Sequence, residues 1–213
     1  MSRSVLIKVA VGATAILGLG FLFVRSALNV QSSPYTVAAS HVAPWRLALE
    51  SPASPSGALL VLQPPQAMAN DLFGQIFSRM SESLRGPNPA AMPLLLRGEF
   101  ERALSGSATP DALLALAREA GLESAAPALR CLATRRISQP GITRQIYVAL
   151  FDFPAFQAFR QTVRQRSASS ADAFDPAALS PAVIVAATDA DFDSWLPIRM
   201  QPESDCLAPI TIQ

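Results

Sequence analysis

The chain has 213 residues and a formal net charge of +1; half of its residues are hydrophobic and 15% are charged, against about 25% in an ordinary soluble domain. This composition is too apolar for a disordered chain and too weakly charged for a nucleic-acid-binding protein, so we expect no nucleic-acid partner. Lys8 is the only lysine and His41 the only histidine, which argues against Walker A loops, Schiff-base enzymes, Ser–Lys pairs, catalytic triads and multi-histidine metal sites.

The first predicted element is a membrane span. Val5 to Val24 is a stretch of twenty residues whose only charge is Lys8, and a helix of that length is about 30 Å long, enough to cross a bilayer core. The alternative is a secretory signal peptide cleaved after Ser26, although no A-x-A pattern is present there. Arg3 and Lys8 before the span, against Arg25 after it, favour a cytoplasmic amino terminus. Both alternatives place the rest of the chain outside the cytoplasm.

Small residues recur inside this span at Ala10, Thr14 and Gly18. Their spacing allows another transmembrane helix to approach closely, so they are a candidate packing stripe; the alternative is that such residues are simply common in membrane helices. The span would also contact membrane lipid.

Arg replaces Lys almost everywhere, with sixteen Arg against one Lys, which is typical of GC-rich bacterial genomes. We therefore predict a single-pass protein of the bacterial inner membrane with a periplasmic domain.

The composition predicts three parts: an anchor or signal peptide over residues 1–28, a linker over residues 29–34 and an extracytoplasmic domain over residues 35–213.

Cys131 and Cys206 are the only cysteines. In an oxidising compartment such a pair is predicted to form a disulfide, which the chain-entropy model credits with about 4–5 kcal/mol for a loop of this length. Without a CxxC spacing they form neither a redox nor a zinc motif, and we predict no cofactor and no metal.

The domain begins with a predicted β-hairpin followed by a helix. Two apolar runs, Trp45–Leu49 and Gly57–Leu62, flank a segment rich in Ser and Pro, which is typical of a hairpin connection. Apolar residues then recur at three-to-four spacing from Met68 to Leu84 and predict a helix that ends at Gly86-Pro87.

Two shorter helices are predicted next. The first covers Leu94 to Leu104. The second begins at Thr109-Pro110, which has the form of an N-cap followed by Pro at the first helical position, and Gly121 is its stop signal.

The second half of the domain repeats the order of hairpin and helix. Leu129–Ile137 and Ile142–Phe151 flank a Ser-Gln-Pro-Gly turn, and Pro154 opens the helix after them. The predicted inward face of this helix consists of Phe156, Phe159 and Val163. Three arginines are predicted to face outward or to end the helix, where they could meet a partner: Arg160, Arg164 and Arg166. A strand over Ala182–Ala187 follows.

These elements predict an α+β fold. Strands that alternate with single helices are typical of an antiparallel or mixed sheet with helices on one face, and the second half is predicted to be ferredoxin-like. The repetition is one of element order and not of residues.

A cluster of carboxylates after the last predicted strand is a candidate cation site. Its members stand at alternate positions: Asp189, Asp191 and Asp193. Clustered oxygens suit calcium, but Ser194 stands where the calcium-loop template requires Gly, and Met200 where it requires a bidentate Glu. We therefore predict that these residues cap a turn or a helix start. His41 is likewise predicted to be a surface or cap residue.

Charge is distributed unevenly along the domain. Residues 118–166 contain eight Arg and three acids, whereas residues 167–213 contain seven acids and one Arg. We predict that the acidic end folds back on the basic segment; the alternative is an Arg face for anionic lipid or an acidic partner.

With no catalytic or metal motif, the chain is predicted to be a non-catalytic accessory subunit that contacts other membrane or envelope proteins. The competing hypothesis is a periplasmic small-molecule-binding module or a carboxylate-dependent hydrolase.

Overall fold

A computed structural model describes residues 32–51, 57–80, 82–167 and 174–213, together with Gly18 and Gly20. The chain consists of two units, residues 1–33 and 34–213, and the second is described below. The predicted span and its Ala10–Thr14–Gly18 stripe lie outside the described residues, apart from Gly18 and Gly20, which are helical. No helix within the described ranges is long and apolar enough to cross a membrane.

Eight strands and five α-helices make up the described part of residues 34–213. The strands are β1 (Tyr35–Val37), β2 (Arg46–Leu49), β3 (Ala58–Gln63), β4 (Met92–Leu96), β5 (Ala128–Gln139), β6 (Ile142–Asp152), β7 (Ala182–Ala187) and β8 (Cys206–Ile212). The helices are α1 (Gln66–Arg79), α2 (Arg97–Ala103), α3 (Pro110–Glu119), α4 (Pro154–Arg166) and α5 (Pro202–Asp205). Short 3-10 turns lie at Ala39–His41 and Phe192–Trp195.

The strands form two sheets. The larger has the order β1-β8-β5-β6-β7. It is a mixed sheet, because β1 runs parallel to β8 while every other pair of adjacent strands is antiparallel. The smaller is antiparallel with the order β2-β3-β4. The predicted α+β class and mixed sheet are therefore confirmed. The second half has the element order ββαβαβ and lacks the βαββαβ order of a ferredoxin-like unit.

The two faces of the larger sheet bury different residues. On one face Tyr147 and Phe151 join a large core to which α1, α3 and α4 contribute, and the Phe151 ring meets Trp45, just before β2, edge-on with centroids 5.2 Å apart. On the other face Ile184 lies in a second core that loop residues after β7 complete, among them Trp195. Burial on both faces explains why β7 is apolar throughout, as a strand covered on two sides must be.

Several predicted elements are confirmed. β2 and β3 pair as the first hairpin, and β5 and β6 as the second, with Pro140-Gly141 as the turn. Gly141 has φ of 83°, a conformation that favours glycine. The Thr109 hydroxyl accepts a hydrogen bond from the amide of Ala112 and so caps α3, which begins at Pro110 as predicted.

Two predicted helices differ from the structure. Leu94–Leu104 is not one helix, because β4 runs to Leu96 and α2 begins at Arg97. Four of the five β4 residues are buried, and the strand lies at the edge of its sheet, where Pro93 costs no ladder hydrogen bond. The long helix ends at Arg79, since Met80 is already extended, so Leu84 packs in the core from outside the helix.

The disulfide between Cys131 and Cys206 is confirmed, with a Cα–Cα distance of 5.8 Å. It joins β5 to the first residue of β8 across the 75 positions that separate them. The acidic carboxyl-terminal segment also folds back on the basic hairpin as predicted: Arg130 on β5 pairs with Glu203 at 3.5 Å, and Arg144 on β6 pairs with Asp189 at 2.9 Å.

Candidate interaction surface

Arg160 is buried and does not face a partner, so its predicted outward orientation is wrong. Its side chain is fully inaccessible to solvent, and its guanidinium donates to both carboxylate oxygens of Glu99, at 2.7 and 3.3 Å. The remaining hydrogen bonds reach the backbone carbonyls of Leu94, Pro176 and Asp175. All guanidinium N–H groups therefore have a partner, as the burial of a charge requires.

The same ion pair terminates the free edge of β4. The Leu94 carbonyl accepts from Arg160, and the Leu96 amide donates to Glu99 at 2.9 Å. An edge strand without such partners would present unpaired backbone groups to other chains. The Arg160–Glu99 pair therefore satisfies backbone groups at the edge of β4 and joins β4 to α4. Arg160 has a structural role.

Side chains also cover the edges of β1 and β2. The Gln75 amide on α1 accepts from the Thr36 amide at 3.0 Å and donates to the Thr36 carbonyl at 2.7 Å, which reproduces the pairing of a neighbouring strand. Asp71 accepts from the next outward amide, that of Ala38. On β2 the Leu47 amide donates to Glu123 at 2.8 Å. These polar residues block strand addition at two sheet edges.

Backbone groups cover one end of the remaining edge of the larger sheet. Arg85 and Ala187 exchange two hydrogen bonds of 2.8 Å, which pairs the last residue of β7. Beyond the end of β7, Thr188 pairs with Gln145 and so continues the cover along β6.

The β5–β6 hairpin has one edge without this protection. β5 pairs with β6 from Ala128 to Gln139, but it pairs with β8 only from Cys131 to Ala133. Within the described residues, no other strand lies beside Arg135–Ser138, and their backbone groups form no hydrogen bonds other than those to β6. We call the stretch Arg135–Ser138 the open edge.

The open edge carries a positive charge that has no counterion among the described residues. Arg135 is exposed and forms no ion pair or hydrogen bond with any described residue. Arg136 beside it is held by Gln145 at 2.6 Å and by Glu82 at 3.7 Å. A half-open groove of about 520 Å³ runs under the edge, between Arg135 and Ile137 on one side and Leu196 and Arg199 on the other. Arg199 is paired with Asp175.

Asp189, in the loop after β7, is paired with Arg144 of the β5–β6 hairpin. Arg144 donates to both of its carboxylate oxygens, at 2.9 and 3.0 Å, and its guanidinium lies 5.0 Å from the centre of the Trp195 ring. These hydrogen bonds hold the pKa of Asp189 below its ordinary value. A carboxylate so held stays ionised and positions the loop after β7.

The other residues of the predicted cation site act as caps or line a cavity. The Asp191 side chain accepts from the Ser194 amide at the start of the 3-10 turn, which is the capping role that the sequence predicts. Asp193 faces a cavity described below. No group of three or more metal-ligating side chains occurs within the part of the chain that the structure describes. His41 is partly exposed and its Nδ1 lies 2.7 Å from the Asp71 carboxylate.

Arg164 and Arg166 are exposed in the last turn of α4, as predicted, and a partner on this face stays a prediction. The open edge was not predicted, because the lengths of β5 and β8 and the alignment between them are not visible in the sequence of either strand. No protein-family model, curated protein or solved structure matches the chain.

Proposed function

We propose that this protein is a non-catalytic, membrane-anchored subunit whose extracytoplasmic domain binds an extended, acidic segment of another envelope or membrane protein. The observation that carries the proposal is the open edge of β5. A strand added there would bind through main-chain hydrogen bonds to Arg135–Ser138, and the groove beneath would receive its side chains.

The contrast among the sheet edges supports this assignment. Gln75 covers β1, Glu123 covers β2, the Arg160–Glu99 pair covers β4, and Arg85 covers β7. The distal part of β5 has no such partner: the backbone groups of Arg135–Ser138 form no hydrogen bonds with described residues other than those of β6. Edges that are not protected in this way are where added strands pair.

Charge selects the chemistry of the bound segment. Arg135 has no counterion among the described residues, and Arg136 and Arg199 lie on the same hairpin or groove. An acidic strand would compensate Arg135, and a basic strand would be repelled. Such charges contribute mainly to partner selection and to the rate of association.

The proposed location is the bacterial periplasm, with the amino-terminal segment as a single inner-membrane anchor. The Cys131–Cys206 disulfide supports an oxidising compartment. Retention of the full-length protein in membranes after alkaline carbonate washing is the expected result. Quantitative release of an amino-terminally shortened chain would contradict the anchor and favour a cleaved signal peptide.

Charge reversal at the open edge tests the interaction. Full-length protein is purified from native membranes in mild detergent as the wild type, as Arg135→Glu and as a matched control, Arg46→Glu. Arg46 is exposed at the start of β2, distant in sequence from the open edge. We expect the wild type and the control to retain the same partner, and Arg135→Glu to lose it.

A synthetic peptide of the partner's acidic segment then completes the test. It should bind the wild type and bind Arg135→Glu at least tenfold more weakly. Equal retention of the partner by all three proteins would contradict the proposal, as would association only with a second copy of this chain.

The competing hydrolase hypothesis depends on carboxylates after β7. Asp189 is held ionised by Arg144, and Asp191 caps a backbone amide, so neither is arranged to exchange protons in a reaction. The observation that would favour it is an activity that is lost in both Asp189→Ala and Asp191→Ala.

A further inference from the structure

A cavity of about 310 Å³ lies where the outer faces of the two sheets meet. Val61 of β3 and Pro93 of β4 pair across the smaller sheet and form one wall. Ile184 of β7 and Ile198 form the opposite wall, and Leu196 closes a third side. The walls are apolar, and the volume is at the small end of the range for ligand-binding cavities.

Acidic side chains also line this cavity. Glu50, directly after β2, and Asp193, in the 3-10 turn, belong to it together with Asp191. The Glu50 carboxylate has no ion pair or hydrogen bond with any described residue. Burial raises the pKa of Asp193, the neighbouring carboxylates of Asp191 and Glu50 raise it further, and a hydrogen bond with the Gly57 backbone acts in the opposite direction.

The nearest arginines do not neutralise these groups. The Arg97 guanidinium donates to three backbone carbonyls and not to a carboxylate: Ser51 at 3.2 Å, and Glu50 and Ala58 both at 3.4 Å. Arg144 is engaged by Asp189. Residues 52–56, which lie outside the described ranges, contain only Pro, Ala and Ser and so bring no charge. Two acidic groups at an apolar cavity are therefore left without a cation among the residues that the structure describes.

We propose that this cavity binds a small organic cation: a protonated amine or quaternary ammonium with a compact apolar body. The apolar body would pack between Val61 and Ile184, and the ammonium group would lie against Glu50 and Asp193. A hard metal ion is disfavoured, because the walls offer no ring of oxygens. This site is independent of the open edge, so either proposal can fail alone.

Two probes of similar size, cyclohexylammonium and neutral cyclohexanol, test the cavity, and ammonium chloride supplies the charge without the apolar body. Calorimetric titration of the full-length protein should detect cyclohexylammonium binding, with cyclohexanol and ammonium at least tenfold weaker. Glu50→Gln and Asp193→Asn should each weaken cyclohexylammonium binding about tenfold. The matched control is Glu203→Gln, which removes one exposed carboxylate elsewhere and should bind as the wild type does.

A second measurement does not depend on the variants. Methyl chemical shifts of Val61 and Ile184 in the wild-type protein should move on addition of cyclohexylammonium and stay unchanged with ammonium chloride. Binding should also weaken as the pH falls through the raised pKa of Asp193, because protonation removes the charge. Equal binding of cyclohexanol, or undiminished cation binding by a Glu50→Gln/Asp193→Asn double variant, would overturn the proposal.

Discussion

Arg160 illustrates how a single buried charge organises this fold. Its guanidinium connects α4 to Glu99 on α2, to Leu94 in the middle of β4 and to the segment at Asp175 and Pro176. It also lies 4.7 Å from the centre of the Phe174 ring. Removing one member of a buried pair leaves the other charge unpaired, which is more costly than the pair is stabilising.

We therefore expect Arg160→Met to lose about 3–5 kcal/mol of unfolding free energy. The measurement is urea denaturation followed by circular dichroism. Arg164→Met, at an exposed position of the same helix, is the control and should change the value by less than about 0.5 kcal/mol. A loss of that small size in Arg160→Met would show that the ion pair does not stabilise the fold.

Two aspartates close together in sequence should respond to pH in opposite directions. The lowered pKa of Asp189 means that its stabilising contribution is present above the unfolded pKa and is lost as the pH falls through the folded value. The raised pKa of Asp193 means that its favourable contribution is present below the unfolded pKa and is lost as the pH rises through the folded value.

Asp189→Asn should therefore be less stable than the wild type at pH 7, by about 1 kcal/mol, and the difference should narrow as the pH is lowered toward 3. Asp193→Asn should gain stability relative to the wild type at pH 7, and its advantage should shrink in acid. Thermal unfolding across this range checks both signs. The same pH trend in both variants would contradict the assigned environments.

At the scale of the residue, the apolar side chains that line the cores were largely predictable. The partners of buried polar side chains were not. Arg160 stands four residues after Phe156 and three before Val163, so helical periodicity places it on the buried stripe. Its charge favoured an outward assignment instead. Glu99, 61 positions away, is its partner, and no local pattern connects them.

At the scale of the element, sheet edges explain details that propensity leaves open. The run Met92–Leu96 is apolar enough for either a helix or a strand, and pairing with β3 decides for the strand. The second hairpin and the start of α3 were predictable, since the Pro140-Gly141 turn and the Thr109 cap act locally. The lateral order of the strands was not predictable, because it depends on contacts between residues distant in sequence.

Gln75 should protect the β1 edge in a measurable way. In Gln75→Ala the Thr36 amide loses its acceptor, so we expect its hydrogen exchange to accelerate and the unfolding free energy to fall by about 1 kcal/mol. Gln157→Ala, on the exposed surface of α4, should alter neither quantity. Unchanged exchange at Thr36 would mean that Gln75 does not cover the edge.

At the scale of the whole molecule, the disulfide joins the carboxyl-terminal strand to the central hairpin. Its loop of 75 positions is long, and cross-links that close long loops restrict the unfolded chain most. The cysteine pairing and the return of the acidic segment were both predictable, because composition and charge are global properties of the sequence.

Replacing both cysteines, as Cys131→Ser/Cys206→Ser, should lower the unfolding free energy by about 4 kcal/mol. Denaturant unfolding of the oxidised wild type and of the double variant gives the value. Thiol titration of the unfolded, unreduced wild type should detect no free thiol. Two free thiols would contradict the disulfide in the native protein.

The most direct test of the proposed function is photocrosslinking at the open edge. A photoreactive amino acid is placed at Ile137 of the full-length protein in native membranes, and at Arg164 on α4 as the competing surface. We predict that position 137 crosslinks to an acidic, extended segment of one partner protein and that position 164 does not. Crosslinking of that partner through position 164 alone, or no crosslink at position 137, would contradict the central claim.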